Sequence, residues 1–425
     1  MLNELPQKIR DGKAVICVIG LGRVGLPLAI VLARSGLKVL GVDVNDKRVR
    51  AINNGEMPFH YPNFDNWLRE TVSAGRFVAS ESKDLVYSQS DVIVVTVGTP
   101  TGSQYQFDYS QLHSALREVA KVNIKGKAII MRSTSVPGTL KRIVLPLLSR
   151  ESGLKLGDFA LATCPERILE GKAIPELYEL PEIVGAADDL SGAIASELLR
   201  KINPEKKISV TTPTGAELAK LFTNIYRYVN FALANEFAVR AERYGEDAHE
   251  VIRIANNGYS RSHIPIPGFA GGPCLSKDGL LLDNNTTFSS MISAAWKLNE
   301  AVPQHVAESI LDELGSLYGV KVGLLGLAFK SESDDLRLSP SVKLGEILTA
   351  YGAKVQIHDP FVKETLSLKD ALRDVEVVIL ATNHRSFQEI ASLIDNSGCR
   401  MVYDVWGMFE PKQFLKAKYR RFGRA

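Results

Sequence analysis

Ala14-Val15-Ile16-Cys17-Val18-Ile19-Gly20-Leu21-Gly22-Arg23-Val24-Gly25 is the stretch that decides the fold. Apolar residues opening onto a glycine spell a buried strand. The glycines then form G-x-G-x-x-G, and Leu26–Ser35 continues as an amphipathic helix ended by Gly36. Leu37–Val42 reads as the next strand, closed by Asp43. Alone, such a glycine pattern describes any tight turn. Between a strand and a helix, with a carboxylate about 20 residues on, it becomes the fingerprint of a dinucleotide site. Gly20 allows the turn, Gly22 lets backbone approach a pyrophosphate on the helix N-terminus, and Gly25 lets helix and strand pack closely. Asp43 is placed to accept hydrogen bonds from an adenosine ribose and to repel the 2′-phosphate of NADP, so NAD is the expected cofactor. Arg23 and Val24 in the turn and Lys47 beyond Asp43 join the candidate cofactor set, although the cations Lys47 and Arg48 temper the exclusion of NADP.

Working outward, Asp91–Val97 and Ala128–Ser133 read as further strands with helices between them. Strand and helix alternating over some 150 residues imply a parallel, doubly wound α/β sheet. The middle differs. Thr214–Tyr244 runs without Gly or Pro after Gly215 and predicts one long helix, terminated by Gly245. Asp247 with Glu250 resembles a capping box for the next helix. Asn256–Asp278 is so rich in Gly and Pro that it reads as an ordered functional loop, and a second helical region follows to about Tyr318. From Val320 the opening pattern returns: a strand over Val320–Phe329, a helix over Ser341–Tyr351, a strand over Lys354–His358 closed by Asp359, and strands at Val375–Ala381 and Arg400–Val405. The expected architecture is two Rossmann-like domains, 1–205 and 316–425, joined by a central helical domain, 206–315.

Bulk properties narrow the function. The chain has 425 residues, is 45% hydrophobic and 23% charged, and carries a formal charge of only +3, which leaves no strong field for nucleic acid or an anionic membrane. Cys17, Cys164, Cys274 and Cys399 are too dispersed for a zinc site or a disulfide framework, so no metal is expected. No apolar run reaches the ~20 residues of a membrane span, and Met1–Lys13 lacks the apolar core of a secretory signal. A cytoplasmic location is the expectation.

Cys274 stands in Gly268-Phe269-Ala270-Gly271-Gly272-Pro273-Cys274-Leu275-Ser276-Lys277-Asp278. A lone cysteine is more often a small buried hydrophobe. Here glycines would allow a ligand close, and a nearby lysine favours the nucleophilic thiolate. With this segment the sequence resembles the UDP-glucose/GDP-mannose dehydrogenase family nearly end to end. The resemblance rests on the glycine turn, Val97-Gly98-Thr99-Pro100, Ser133-Thr134 with Pro137-Gly138-Thr139, Cys164-Pro165-Glu166-Arg167, Lys220 with Asn224, Gly271-Gly272 before Cys274, and Phe329-Lys330 with Asp334-Asp335-Leu336-Arg337.

That resemblance implies a four-electron oxidation of a nucleotide sugar's C6 alcohol to a carboxylate. Cys274 would trap the intermediate aldehyde as a thiohemiacetal and then carry a thioester to hydrolysis. It implies Lys220 and Asn224 as stabilisers of the tetrahedral oxygen, Glu166 and Thr134 as handlers of the hydrolytic water, and Asp278 as an aid to proton transfer. Thr99, Thr134 and Lys277 would join the cofactor site. Arg167, Arg261, Phe269 and Gly271 would join Glu166, Lys220 and Asn224 around the sugar, with Lys330 and Arg337 on the diphosphate. One departure stands out: Trp406 of Asp404-Val405-Trp406-Gly407 occupies a place where relatives usually carry a basic residue, and it would stack on a base or pack in the core. Cys164-Pro165-Glu166-Arg167 and Arg227–Glu236 are similar to enzymes of UDP-N-acetylhexosamines, especially N-acetylmannosamine, although Tyr228 departs from that branch. Lys277-Asp278 is similar to the UDP-glucose branch. The reading leans to a UDP-N-acetylhexosamine, with UDP-glucose 6-dehydrogenase as the alternative. A non-catalytic nucleotide-binding protein and a two-electron hydroxy-acid dehydrogenase are rivals of other classes. The resemblance also implies a homodimer or higher homo-oligomer built on the long helix.

Overall fold

Val15–Ile19 forms β1, followed by β2 (Lys38–Val42), β3 (Phe77–Ser80), β4 (Val92–Val95), β5 (Ala128–Met131), β6 (Ala160–Thr163), β7 (Glu182–Ala186) and β8 (Ile208–Thr211). This is a computed structural model, and it describes residues 2–61, 63–100, 107–168, 173–283 and 290–424. The chain divides into two units, Met1–Phe222 and Thr223–Ala425, with the break inside the long helix.

Among the described residues of the first unit, the strands form one sheet in the order β3-β2-β1-β4-β5-β6-β7-β8. β1 lies parallel between β2 and β4, so the strand order reverses at its carboxyl end, where doubly wound sheets bind ligands. Successive residues of each strand feed opposite faces. Ile16 and Val18 enter one core and Cys17 and Ile19 the other. That double burial is why these strands read as continuous apolar runs. β7 departs from the all-parallel expectation: it runs antiparallel to β6. Antiparallel neighbours need no crossover, and the described part of the connection carries one short helix, Ala173–Glu179.

The long helix is Pro213–Arg243, 31 residues, or about 46 Å at 1.5 Å per residue. Gly245 ends it with φ +72°. Helix Ala248–Asn256 is capped by Asp247, whose carboxylate accepts from His249 N. The expected capping box is replaced, because Glu250 turns to Arg253 at 2.7 Å. The breaker-rich stretch does not extend to Asp278 as predicted. A helix begins at Leu275 and runs to Asp283, since no Gly or Pro stands between Pro273 and Gly279. The next helix, Ser290–Leu314, contains Pro303 and ends before the predicted Tyr318.

The second unit also holds, among its described residues, a parallel sheet of β9 (Lys321–Leu325), β10 (Lys354–His358), β11 (Val377–Leu380), β12 (Met401–Asp404) and β13 (Lys418–Arg421), in the order β10-β9-β11-β12-β13. β9 stops short of the predicted Phe329 because Gly326 turns the chain at φ +91°. Helix Pro340–Ala350 packs beside it, with Leu324, Leu344 and Leu348 in one core.

Candidate active site

The turn after β1 has the geometry a dinucleotide requires. Gly20 takes φ +90° and its N–H donates to Val42 O at 2.7 Å. A Cβ on Gly25 would lie 1.9 Å from Gly20 O, so no other residue fits where helix Gly25–Arg34 meets the turn. A Cβ on Gly22, by contrast, would meet no described protein atom within 4 Å. Packing does not demand glycine there; access for a pyrophosphate does. The residues thus fit NAD. Asp43, 7% exposed, is more engaged than the sequence implied. Its Oδ2 accepts from Leu21 N at 2.7 Å and from Arg48 at 2.9 Å, and Oδ1 accepts from Asn45 N at 2.9 Å. The structure seats Arg48, rather than the exposed Lys47, on this carboxylate. Arg23 and Arg48 flank Phe59 at 4.8 and 5.1 Å from the ring centre. Val24 immediately precedes the helix as its N-cap residue.

Further along the same sheet edge, Thr99 is buried beyond β4, and Thr134 is half-buried two residues beyond Arg132. Glu217, at the start of the long helix, shapes the Thr134 segment: its carboxylate accepts from Gly138 N at 2.6 Å and Leu140 N at 2.9 Å. Burial pushes Glu217 above the usual carboxylate range. Glu166, just past β6, is buried with Oε1 on the amides of Arg167 and Ile168 and Oε2 on the Arg132 guanidinium. The Arg167 guanidinium donates to Pro181 O. Lys220 is buried on the long helix, one turn before Asn224.

In the second unit, Asn224 donates to Asp278 Oδ2 at 2.6 Å, so the helix face and the post-cysteine segment meet as a buried pair. Cys274 is exposed, whereas Cys17, Cys164 and Cys399 are buried. It immediately precedes helix Leu275–Asp283, with Lys277 half-buried in the first turn. The glycines before it serve a purpose the sequence did not reveal. A Cβ on Gly271 would lie 2.5 Å from Pro340, and one on Gly272 would lie 2.5 Å from the Phe329 ring. They let this segment press on the C-terminal Rossmann half, and Gly272 N donates to Leu338 O at 2.9 Å. Phe269 is a core residue, so its side chain does not line open space. Asn235, wholly buried on the long helix, was missed: it accepts from Gly268 N at 2.8 Å and donates to Asn299 at 3.0 Å. It lies in the Arg227–Glu236 stretch noted for its resemblance, but the sequence did not single it out. Arg261 is exposed, 4.8 Å from the Tyr259 ring centre.

Lys330 and Arg337 lie on one excursion between β9 and helix Pro340–Ala350, folded back by Phe329 N to Asp335 O at 3.1 Å. Asp335 orients Arg337 through its Nε at 2.9 and 3.0 Å. Trp406 is half-buried and packs against the core: its indole N–H donates to Ala381 O at 2.9 Å, and a Cβ on Gly268 would be 2.8 Å from its ring. Among the described residues no cluster of His, Cys, Asp and Glu is arranged to hold a metal ion, and no helix is long and apolar enough to cross a membrane.

A first Rossmann unit shaped for NAD and a second that gathers cations at its switch point define an NAD-dependent dehydrogenase of nucleotide-linked substrates. The chain belongs to the UDP-glucose/GDP-mannose dehydrogenase family. The family's NAD binding domain matches residues 14–203, its central domain 214–301 and its UDP binding domain 323–411. A UDP-N-acetyl-D-mannosamine dehydrogenase of Pyrococcus horikoshii is 36% identical over 385 residues, 88% of this chain and 90% of that protein. The solved UDP-D-ManNAc dehydrogenase from Pyrococcus horikoshii superposes with a TM-score of 0.89 at 33% identity, covering 96% of this chain and 99% of that one. A UDP-glucose dehydrogenase of Pyrobaculum islandicum gives 0.85 at 28% identity, covering 97% and 98%.

Proposed function

We propose that this nucleotide-sugar dehydrogenase oxidises the C6 alcohol of a UDP-N-acetylhexosamine, UDP-N-acetylmannosamine above all, to the uronic acid through a covalent intermediate on Cys274. The observation that carries the mechanism is the placement of Cys274: the one exposed thiol of the four, at the start of a helix whose N–H groups favour negative charge on sulfur. NAD, held on the Gly20–Gly25 turn, supplies the hydride acceptor for each of two oxidations. Cys274 adds to the aldehyde left by the first, the second turns the thiohemiacetal into a thioester, and water releases the acid and the thiol. Per acid, one water is consumed and two NADH form. Lys220 and Asn224 donate to the tetrahedral oxygen, Glu166 and Thr134 align the water, and Asp278, fixed by Asn224, relays a proton. Lys330 and Arg337 bind the diphosphate. Residues 1–205 thus hold cofactor, 206–315 the thiol and 316–425 the nucleotide.

The sugar assignment leans on Cys164-Pro165-Glu166-Arg167 and on relatives named for N-acetylmannosamine. Lys277-Asp278 favours UDP-glucose as the second reading. NADH counted per sugar consumed, with UDP-N-acetylmannosamine, UDP-N-acetylglucosamine, UDP-glucose and GDP-mannose, tests both readings. A ratio of two and the highest kcat/KM on UDP-N-acetylmannosamine are expected; a ratio of one refutes the four-electron chemistry. Cys274→Ala should make no acid, and acid at a near wild-type rate would remove the covalent step. Tyr226, Leu233, Phe237 and Tyr244 expose a stripe along the long helix, and a groove of about 450 Å³ is lined by Phe237, Tyr244, Val251 and Ile264. A second copy of the chain covers this face, and light scattering should return at least twice the chain mass.

A further inference from the structure

Glu166 belongs to a buried group of charges that the reaction outlined above does not explain. The Arg132 guanidinium that takes its Oε2 also reaches Glu182, at 3.2 and 3.4 Å. Lys206 stands 3.6 Å from Glu182 and donates to Leu177 O. All four side chains are nearly sealed from solvent: 1% for Arg132, 8% for Glu166, 7% for Glu182 and 0% for Lys206.

The topology brings them together. Arg132 follows β5 and Glu166 follows β6, at the carboxyl ends of two parallel strands. Glu182 is the first residue of β7 and Lys206 lies just ahead of β8. Because β7 runs antiparallel to β6 and β8 parallel to β7, their beginnings reach that same end of the sheet. The one reversal in the sheet therefore delivers two charges to the end where ligands bind.

Two carboxylates and two cations sum to zero, but burying four charges is a poor way to gain stability; apolar replacements often do as well. Resting on the reading of Glu166 as the residue that aligns the hydrolytic water, we propose that Arg132 is a positioning residue: it fixes the Glu166 carboxylate, and through it the hydrolytic half of the reaction. Glu182 and Lys206 hold the guanidinium in turn. With both oxygens bonded, Glu166 acts as a fixed hydrogen-bond acceptor. Burial pushes Glu166 up, but Arg132 and the Arg167 and Ile168 amides outweigh burial and hold it below the usual carboxylate range. The remaining neighbours leave this balance intact: the Cys164 thiol is pushed up to about 12 by burial and stays neutral, and the Arg167 guanidinium is turned to Pro181 O.

The test compares Arg132→Met, Arg132→Lys and Glu182→Gln in the full-length enzyme with UDP-N-acetylmannosamine and NAD. For Arg132→Met, Glu166 should protonate at higher pH, so the acid limb of kcat moves up by about one unit or more. Acyl-enzyme on Cys274 should accumulate by intact mass as hydrolysis slows about tenfold or more, while the pre-steady-state NADH burst changes less than about twofold. Arg132→Lys should restore most of the limb. Glu182→Gln leaves Arg132 to Glu166 alone and should not raise the limb. An unmoved limb in Arg132→Met, with burst and hydrolysis falling together, reduces Arg132 to a structural residue, and an equal rise in Glu182→Gln also overturns the proposal. The acid-unfolding profile without substrate distinguishes this failure from failure of the functional reading. A depressed carboxyl contributes stability that is lost as pH falls through its folded pKa. Arg132→Met should therefore lose that stability at higher pH than wild type whether or not any sugar is oxidised, with Arg132→Lys close to wild type, and an unshifted profile in Arg132→Met overturns the proposal by itself.

Discussion

The two Rossmann halves open on the same turn and then part. Gly20 and Gly326 take φ +90° and +91°. Their N–H groups donate to Val42 O at 2.7 Å and to His358 O at 2.8 Å. Leu21 N meets Asp43 Oδ2, and Leu327 N meets Asp359 Oδ2, both at 2.7 Å. Asn45 N and Phe361 N close the other carboxylate oxygens, both at 2.9 Å. Beyond this shared turn, the first half starts its helix at Gly25, five residues after Gly20, and the second at Pro340, fourteen after Gly326. The first presents bare backbone and a helix N-terminus to a phosphate. The second has Ala328 where the first has Gly22, and its longer excursion carries Lys330 and Arg337. On the proposed reading, one half holds phosphate with amides and the other with side-chain cations.

Gly25→Ala should break the first half outright. With 1.9 Å to Gly20 O and 2.3 Å to Thr96 Oγ1, the added methyl forces helix and turn apart, at a cost of about 3 kcal/mol or more. NAD binding, followed by fluorescence titration, should be lost; a Kd within about twofold of wild type would falsify the packing argument. Asp359→Ala should damage the second half next most. It strips the Leu327, Ala328 and Phe361 amides and His384 Nε2 of their acceptor, at about 2–4 kcal/mol, measurable by urea unfolding. Burial raises the Asp359 pKa, but His384 and the amides outweigh it and hold the carboxyl low. Its stabilisation is then present above the usual carboxylate range and lost as pH falls through the depressed value. Stability of Asp359→Asn should accordingly depend less on pH below about 4; an unchanged acid profile would contradict the assignment. Lys330→Ala or Arg337→Ala should raise the nucleotide-sugar KM about 10- to 100-fold, ~1.4–2.8 kcal/mol, with KM for NAD nearly constant. If both KM values rise together, the division of labour between the halves is wrong.

The same contrast explains what was legible in the sequence. β1, β2 and the glycine turn could be read because double burial makes the strands wholly apolar and the turn needs glycine. The second half was legible as a returning pattern closed by Asp359, but the likeness of its turn to the first emerged in hydrogen bonds. β13 was missed: Lys-Tyr-Arg-Arg is an edge strand guarded by charge, which disguises it as surface. The reversal of β7 left no local signal, because direction is a property of pairing, not of propensity. Candidate site residues that a motif carries, such as Cys274, Glu166 and Asn224, were named by resemblance. Arg132, which holds Glu166, and Glu217, which holds the loop after Thr134, were not, since a buried ionic partner looks like any other polar residue until its distant mate is known. Gly271 and Gly272 were noticed for the close approach of a ligand, and nothing in the sequence signalled the close approach of Pro340 and Phe329 that also requires them.

The smallest expected effect sharpens the cofactor half. NAD should exceed NADP in kcat/KM, because a carboxylate at Asp43 opposes a 2′-phosphate. The structure limits how strongly. Arg48 lies 2.9 Å from Asp43 Oδ2 with the carboxylate side chain only 4% exposed and its own 26% exposed, so the charge a phosphate would meet is already partly cancelled, and the guanidinium offers a partner of its own. Asp43→Asn should therefore narrow the NAD/NADP ratio by no more than about tenfold, ~1.4 kcal/mol. Arg48→Gln should act in the opposite direction, uncovering Asp43 and widening the ratio. The two substitutions together form the test, because a carboxylate acting alone predicts a large change in the first and none in the second. Parallel initial-rate measurements with both cofactors at saturating nucleotide sugar give the ratios. A narrowing of about a hundredfold in Asp43→Asn with no response in Arg48→Gln would mean that Arg48 does not screen the carboxylate when cofactor is bound.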